Sequence, residues 1–443
     1  MNSPGIAPAH YSLVCSICGD SRPDDGVTLD CSEPHQAGLL LTEYKSTAFT
    51  PTSEYSGIYR YRNWLPIRRT FPASGSTVVY RSEALGALLG FRNLWIAYNG
   101  YWPERRARLE TGTFKELEAY TVLSRLPAGA PVLVLASAGN TAAAFATLCS
   151  QYRVPVVIVV PMGMMGNLKF RTPLSPCVKI VAVAQGDYYD AISLADALSK
   201  FPGFIPEGGV RNVARRDGLG TVMQSAFDKM GEMPDYYFQA IGSGAGAIAV
   251  HEVAVRLRKS SGGTLPLPRL MLSQNAPFTP VFRAWRSGRR VFAESDETID
   301  RQCIAEVCAQ ELTNRRPPYI QRGGLFDVLT QSAGDVHTVG NDALQAARRL
   351  FLETEGIDIE PASGVALASL CSAVADRKVS LSASVLLNIT GGGRARLAEE
   401  HGLVQAAPAR IVPTGLHKSS ESLIDLVHGL DLGRMQEEAL QHA

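Results

Sequence analysis

Apolar residues along the chain gather in short runs separated by polar or turn-forming stretches. Val132–Ala136, Val154–Val160, Val178–Val183, Tyr236–Ile241, Leu270–Ser273 and Val385–Ile389 are the clearest of these runs. Runs that are apolar at nearly every position predict strands covered on both faces. Between them, apolar positions recur at helical spacing over Asn140–Gln151, Tyr188–Lys200, Gly220–Met230, Ala247–Leu257, Ala343–Glu353 and Gly364–Asp376. From Thr77 onward this alternation predicts an α/β fold with parallel sheets. The first fifty or so residues read differently, with short alternating segments such as Tyr11–Val14, many turn formers, and Cys15, Cys18 and Cys31. They predict a small ribbon. Lys259–Pro268, rich in Ser, Gly and Pro, predicts a surface loop, and Glu421–Leu440 a terminal amphipathic helix.

The chain has 443 residues, enough at roughly 150 per domain for two large domains or three smaller ones. The expected division is a ribbon over 1–50, a large α/β domain from 51–125 and 235–443, and a smaller α/β domain inserted over 126–234. Hydrophobic residues are 46% and charged residues 19% of the chain, which excludes a disordered polyampholyte or a coiled coil. With 43 Lys and Arg against 42 Asp and Glu, no charge bias invites a polyanion, so neither nucleic acid nor an anionic membrane is an expected partner. The run Val154–Val160 is cut off by Pro161 and Gly163, far short of the roughly 18 apolar residues a spanning helix needs. The opening residues lack the basic and apolar regions of a signal peptide, and the expected location is the cytoplasm. Eight cysteines in so long a chain do not make a disulfide scaffold, which turns attention to thiol and metal chemistry.

Four segments carry candidate chemistry. The strand ending at Ile241 runs into Gly242-Ser243-Gly244-Ala245-Gly246 and then a helix. Glycines let the backbone approach an anion, and the helix start offers unpaired amides at the positive end of its dipole. The turn lacks a P-loop lysine and a dinucleotide fingerprint, so the phosphate belongs to something smaller than a nucleotide, or the turn only tightens the junction. After Val132–Ala136, the loop Ser137-Ala138-Gly139-Asn140-Thr141 aims hydroxyls and amides at one point, where they either grip a carboxylate or form a plain N-cap through Asn140. Thr111-Gly112-Thr113-Phe114-Lys115 places a lysine at the opening of a helix, and Thr390-Gly391-Gly392-Gly393 ends a late strand. A lysine, a phosphate cradle and an amino-acid site together suggest a pyridoxal phosphate Schiff base. Separately, Cys15, Cys18, Cys31 and His35 supply four soft ligands for a structural zinc ion, or fold as a ribbon without metal. Cys149, Cys177, Cys303, Cys308 and Cys371 show no partner pattern and read as core residues.

Taken in order, T-G-T-F-K, S-A-G-N-T, G-S-G-A-G and T-G-G-G resemble the fold-type II pyridoxal phosphate enzymes, the tryptophan synthase β-like group. Where threonine synthases typically carry Asp-Arg after the lysine, this chain has Glu116-Leu117-Glu118-Ala119, which resembles cysteate synthases. The openings Y-S-L-V-C-S-I-C-G and D-D-G-V-T-L-D-C-S-E-P-H, the L-T-E-Y-K that follows, Gly57–Tyr61 and Trp64-Leu65-Pro66 are similar to that family as well. The resemblance runs from about Tyr11 to Arg396. It implies replacement of phosphate by sulfite on O-phospho-L-serine to give L-cysteate, through a Lys115 aldimine and an aminoacrylate intermediate. In that reading Lys115 holds the cofactor and abstracts the Cα proton, and Asn140 meets the cofactor's 3-hydroxyl. Gly242, Ser243, Gly244, Ala245 and Gly246 hold its phosphate, and Thr390 faces its pyridine nitrogen. Ser137, Gly139 and Thr141 bind the substrate carboxylate, and Asn212 with Arg215 binds the substrate phosphate, Arg211 and Arg216 being close competitors. Gly220 stands where threonine synthases tend to carry a lysine, which weakens that last assignment. A homodimer is also implied. The alternatives are a threonine synthase acting on O-phosphohomoserine, a phosphoserine-dependent synthase using another nucleophile, or a zinc-ribbon interaction protein that no longer catalyses.

Overall fold

The computed structural model describes residues 10–292 and 297–432. Two open sheets and a ribbon organise them. The larger sheet has six strands in the order Asp335–Val339, Arg269–Asn275, Tyr236–Ala240, Ser384–Ile389, Asn93–Tyr98 and Val78–Arg81. Its neighbours run parallel except at the Val78–Arg81 edge, which pairs antiparallel with Asn93–Tyr98. The smaller sheet is all parallel, ordered Phe204–Pro206, Val132–Ala136, Val156–Pro161, Val178–Ala184 and Arg410–Pro413.

Burial in the smaller sheet explains why its strands read as unbroken apolar runs. Val132, Val134, Val157, Val159, Val181 and Val183 pack on one face against Leu194, Leu198, Leu423 and Leu426. Leu133, Leu135, Ile158, Val160, Ile180 and Ala182 lie on the other, within the main core. Alternate residues thus enter two cores, and neither face reaches solvent. Arg410–Pro413, in the C-terminal segment expected to belong to the large domain, completes this smaller sheet beside Val178–Ala184.

Most expected elements appear with ends shifted by a few residues, and one helix starts much earlier than its pattern suggests. Val213–Met230 forms one helix, capped by the Asn212 side chain accepting from the Ala214 amide. Its first two turns contain Arg215, Arg216 and Asp217, all buried, so no polar face marks them in the sequence. Gly218 brings this helix against Lys115–Arg125, where a Cβ would stand 2.4 Å from the Leu117 carbonyl oxygen. The terminal helix spans Ser420–Gly429, and the expected continuation beyond residue 432 lies outside the described residues. Cys149 and Cys177 are buried as expected, whereas Cys308 is exposed outside any helix and Cys303 and Cys371 are only partly covered.

The N-terminal ribbon is a three-stranded antiparallel sheet, Tyr11–Cys15 lying between Ser21–Arg22 and Leu40–Tyr44. It packs on the start of the Val213–Met230 helix. Thr42 and Tyr44 both donate to Asp217, at 2.6 and 2.8 Å.

Candidate active site

The lysine helix Lys115–Arg125 and the strand ending at Ile389 meet at the centre of the molecule. Phe114 donates its amide to the Thr390 carbonyl (2.9 Å), and Thr113 bridges Gly391. Lys115 and Thr390 are thereby fixed to one another by backbone. Ser363 braces the same strand end, its hydroxyl donating to the Gly391 carbonyl (2.9 Å) and lying 3.5 Å from the Thr390 hydroxyl.

The Lys115 side chain is 16% exposed, and its Nζ donates to Glu118 Oε2 at 3.0 Å. Glu118 is fully buried, and its other oxygen accepts from Arg215 Nη1 (2.9 Å) and from the Thr141 hydroxyl (3.1 Å). Arg215 also forms a two-pronged pair with buried Glu207 through Nε and Nη2. Burial pulls the Lys115 pKa below its ordinary value, with Glu118 opposing and Arg215 assisting. The result is an alternating chain of Lys115, Glu118, Arg215 and Glu207 that spans from the lysine helix to the arginine helix.

Glu118 and Glu207 are the site residues that sequence reading missed. A glutamate three positions after a helical lysine reads as a solvent-facing pair. Only the burial of both helices turns it into a contact inside the site. The three competing arginines are now separated by their partners. Arg211 reaches out to Asp30 at 2.6 Å, and Arg216 is committed to Glu252 and the carbonyls of Val210 and Leu40. Of the three, only Arg215 contacts the carboxylate that holds Lys115. Asn212 lies one turn before it, bound to the Glu207 carbonyl (2.8 Å) and receiving Arg125 (3.1 Å). Gly220 points elsewhere. A Cβ there would meet Val253 of the neighbouring helix, so a side chain at that position faces packing and not the lysine.

The Ser137–Thr141 loop starts the helix Asn140–Tyr152. Asn140 does not cap it; Ser137 Oγ takes that part, accepting from the amides of Gly139 (3.4 Å) and Ala142 (3.2 Å). The Asn140 amide instead donates to Glu360 (2.9 Å) and accepts from Arg394 (2.8 Å). Glu360, buried beside Gly391, has its pKa pushed up to about 7 by burial, against the pull of Arg394. No atom lies within 4 Å of the position a Cβ would take at Gly139, so the loop opens onto free space.

The glycine turn is close-packed. A Cβ on Gly244, whose φ is +74°, would sit 2.5 Å from Leu325, and one on Gly246 would sit 2.8 Å from Gln239 and 3.0 Å from Phe114, the residue before the lysine. Ala245 and Gly246 open the helix Ala245–Ser260, whose first amides are without intrahelical acceptors. A backbone cradle beside Phe114, a hydroxyl at Thr390 and a buried amine form a donor set that fits pyridoxal phosphate. A cavity of about 500 Å³ lies along the Asn140–Tyr152 helix, its walls including Thr111, Ala143, Lys169, Arg171 and Arg394 but none of Lys115, Thr390 or the glycine turn. The ribbon also draws Cys15, Cys18, Cys31 and His35 together, their ligand atoms all within 4.8 Å of one another.

A family profile described as pyridoxal-phosphate dependent enzyme matches residues 71–391. The cysteate synthase of Methanoregula boonei is 45% identical over 415 residues, covering 93% of this chain and 96% of that protein. The cysteate synthase of Methanosarcina acetivorans is 44% identical over 401 residues, covering 90% of this chain and 95% of that protein. Among solved structures, maize serine racemase aligns with a TM-score of 0.55 at 17% identity, over 73% of this chain and 91% of its own. Diaminopropionate ammonia lyase from Escherichia coli aligns with a TM-score of 0.56 at 15% identity, over 74% and 88%. These structural likenesses show the fold, that of the fold-type II enzymes. On this similarity along nearly its whole length, the chain belongs to the pyridoxal-phosphate dependent enzymes and, within them, to the cysteate synthase family.

Proposed function

We propose that the protein converts O-phospho-L-serine and sulfite to L-cysteate and phosphate, using pyridoxal phosphate carried on Lys115. The observation that carries this reading is the similarity to cysteate synthases over 93% of the chain. The chain Lys115–Glu118–Arg215 supports it by joining the amine that would work on Cα to the cation that would receive the departing phosphate.

When bound, pyridoxal phosphate supplies an electron sink for the bond to the Cα proton, so that phosphate can leave from Cβ and sulfite can add there. Lys115 takes up that proton. Its lowered pKa favours the neutral amine that a base requires, and Glu118 fixes Nζ in direction. The Gly242–Gly246 turn would hold the cofactor phosphate through backbone amides, which are neutral donors. Thr390 would offer a hydroxyl to the ring nitrogen, and a hydroxyl does not hold that nitrogen protonated as a carboxylate would. Asn140 would serve the 3-hydroxyl on exchanging its bonds to Glu360 and Arg394. Ser137, Gly139 and Thr141 orient the substrate carboxylate, with the first amides of Asn140–Tyr152 as donors and the open space at Gly139 as room for it. Arg215 and Asn212 face the substrate phosphate. The C–O bond at Cβ would break with its electron pair going to phosphate, the sulfite sulfur lone pair would form the new C–S bond, and Lys115 would return its proton to Cα.

We extend the reading, on the resemblance, to a homodimer working in the cytoplasm; among the described residues no helix is long and apolar enough to cross a membrane. Sedimentation of the purified chain tests the dimer. The reaction is tested by supplying O-phospho-L-serine with and without sulfite, following phosphate and identifying the amino acid by mass. Sulfite-dependent L-cysteate is expected. Turnover of O-phosphohomoserine to threonine, with phosphoserine inert, would overturn the assignment in favour of a threonine synthase.

A further inference from the structure

Cys15 ends the first ribbon strand, and the turn after it reverses the chain: the Cys15 amide donates to the Asp20 carbonyl (2.9 Å) and the Gly19 amide to the Cys15 carbonyl (3.1 Å). Gly19 takes φ +73°, the left-handed conformation that lets Cys18 point back toward Cys15. Two backbone amides are aimed at sulfur, Ile17 at Cys15 (3.4 Å) and Glu33 at Cys31 (3.5 Å). His35 presents Nε2 to Cys15 Sγ at 3.2 Å while its Nδ1 meets the Gln36 carbonyl at 2.7 Å, which leaves Nε2 as the ring's free lone pair.

The spacing of the four groups distinguishes a shared ion from a covalent bridge. Tetrahedral zinc with Zn–S of about 2.3 Å sets ligand sulfurs roughly 3.8 Å apart, whereas a disulfide brings them to about 2.0 Å. Cys18 and Cys31 stand with their sulfurs 3.8 Å apart. Three thiolates around a divalent ion leave one negative charge; Arg22 Nη2, paired with Asp20 at 2.6 Å, also lies 3.5 Å from Cys31 Sγ. We propose that Cys15, Cys18, Cys31 and His35 bind one structural zinc ion, and that this ion closes the loop 19–30 into a brace for the arginine helix.

The brace is explicit in that loop's contacts. Asp24 pairs with Arg125 at 2.6 and 2.8 Å, and the Thr28 carbonyl accepts from the same guanidinium (2.7 Å). Leu29 packs where a Cβ on Gly208 would fall, and Asp30 holds Arg211. Arg125 in turn donates to Asn212, which caps the helix that carries Arg215. Ligands Cys18 and Cys31 bracket the loop, so losing the metal frees both its ends at once. This inference deepens the proposed function only in linking the ribbon to Arg215; the metal site itself stands apart from the reaction.

Zinc content of the full-length holoenzyme, purified without a metal-affinity step, measured by plasma mass spectrometry together with native thiol titration, tests the site. About one zinc per chain is expected, with Cys18 and Cys31 protected from thiol reagents until a strong chelator is added. Cys31→Ser should lose nearly all the zinc and lower the unfolding midpoint while keeping the cofactor absorbance. Should Cys31→Ser not fold, the exposed Cys18→Ser gives the same comparison. A folded protein with no zinc after preparation in zinc-containing buffer, a Cys18–Cys31 disulfide by mass, or zinc retained in both serine variants would each overturn the proposal. None of these outcomes depends on which amino acid the enzyme makes.

Discussion

The two ends of the candidate cleft receive negative charge by opposite means. At Gly242–Gly246 the donors are backbone amides at the start of a helix, held by packing so close that Leu325, Gln239 and Phe114 leave no room for a Cβ. At the other end the donor is Arg215, and it is already paired with Glu118 and Glu207. A backbone cradle carries only partial charges and can be buried without a counterion. A guanidinium buried to the same depth must be partnered, because an uncompensated charge there costs several kcal/mol, of order ~3–5. One end is therefore ready for a resident group, and the other holds its cation in balance until an anion competes for it. That contrast suits a cofactor that stays and a substrate phosphate that comes and goes.

The largest test of this contrast is Lys115→Ala, which removes the amine between the two ends. Activity should fall by about 10³-fold or more, and the absorbance of a covalently held cofactor should vanish although the protein still folds. Covalent cofactor persisting in this variant would refute the role of Lys115. Next in size is Arg215→Lys, which keeps the charge beside Glu118 and Glu207 but loses the two-pronged geometry. A fall of roughly 10²-fold in kcat/KM for the phosphorylated substrate is expected, from one or two charge-assisted hydrogen bonds. The cofactor spectrum should not change. If the spectrum shifts and the substrate dependence does not, Arg215 serves the cofactor end and the contrast fails.

A pair of glycine substitutions then separates structure from binding. Gly244→Ala meets both a positive φ and the Leu325 contact, and should cost about 1–3 kcal/mol in stability. Gly139→Ala meets open space at a negative φ, and its unfolding midpoint should stay near the parent's while KM for the amino-acid substrate rises several-fold. Equal destabilisation by both would mean that the Gly139 loop is packing and not a substrate cradle.

How much of this was legible in the sequence follows the same division. The glycine turn joins an apolar run to a helical pattern, the lysine opens a helical pattern and Thr390 ends an apolar run, and backbone chemistry is written at such boundaries. Val132–Ala136 matches its expected strand residue for residue, because alternate side chains fill two cores and every position is apolar. The charged end was less readable. Arg215, Arg216 and Asp217 look like a solvated stretch, and the helix they open was expected to begin only at Gly220. Their burial depends on partners far away in the chain: Glu252 for Arg216, Thr42 and Tyr44 for Asp217. Glu118 carries part of the family resemblance but gives no sign of its chemistry, since nothing local tells a buried glutamate from an exposed one. Arg410–Pro413 escaped for a different reason: as an edge strand with Arg410, Ile411 and Pro413 exposed, it lacks the apolar run that marked its neighbours.

The contrast recurs on a smaller scale inside the lysine helix, in two carboxylates two residues apart. Glu118 is held between cations, whereas Glu116 accepts from the amide and hydroxyl of Thr111 and from the backbone of Glu110, with no cation among these partners. Burial then outweighs those neutral donors and pushes the Glu116 pKa up to about 7. A carboxyl raised in this way binds its proton more tightly in the folded protein than in the unfolded chain. As pH rises from the ordinary carboxylate range through 7, the folded state must give up that proton, and stability falls; above 7 the loss is complete and constant. The shift corresponds to roughly 3 kcal/mol across that window. Glu116→Gln keeps an oxygen for Thr111 and stays neutral throughout, so it should remove this part of the pH dependence. Thermal unfolding of both proteins between about pH 5 and 8 is the measurement, and the variant should gain on the parent steadily as pH rises. A parent that instead gains on the variant with rising pH would show that neutral donors from Thr111 and the Glu110 backbone keep a buried carboxylate ionised, and that a cation is not what sets Glu118 apart from Glu116.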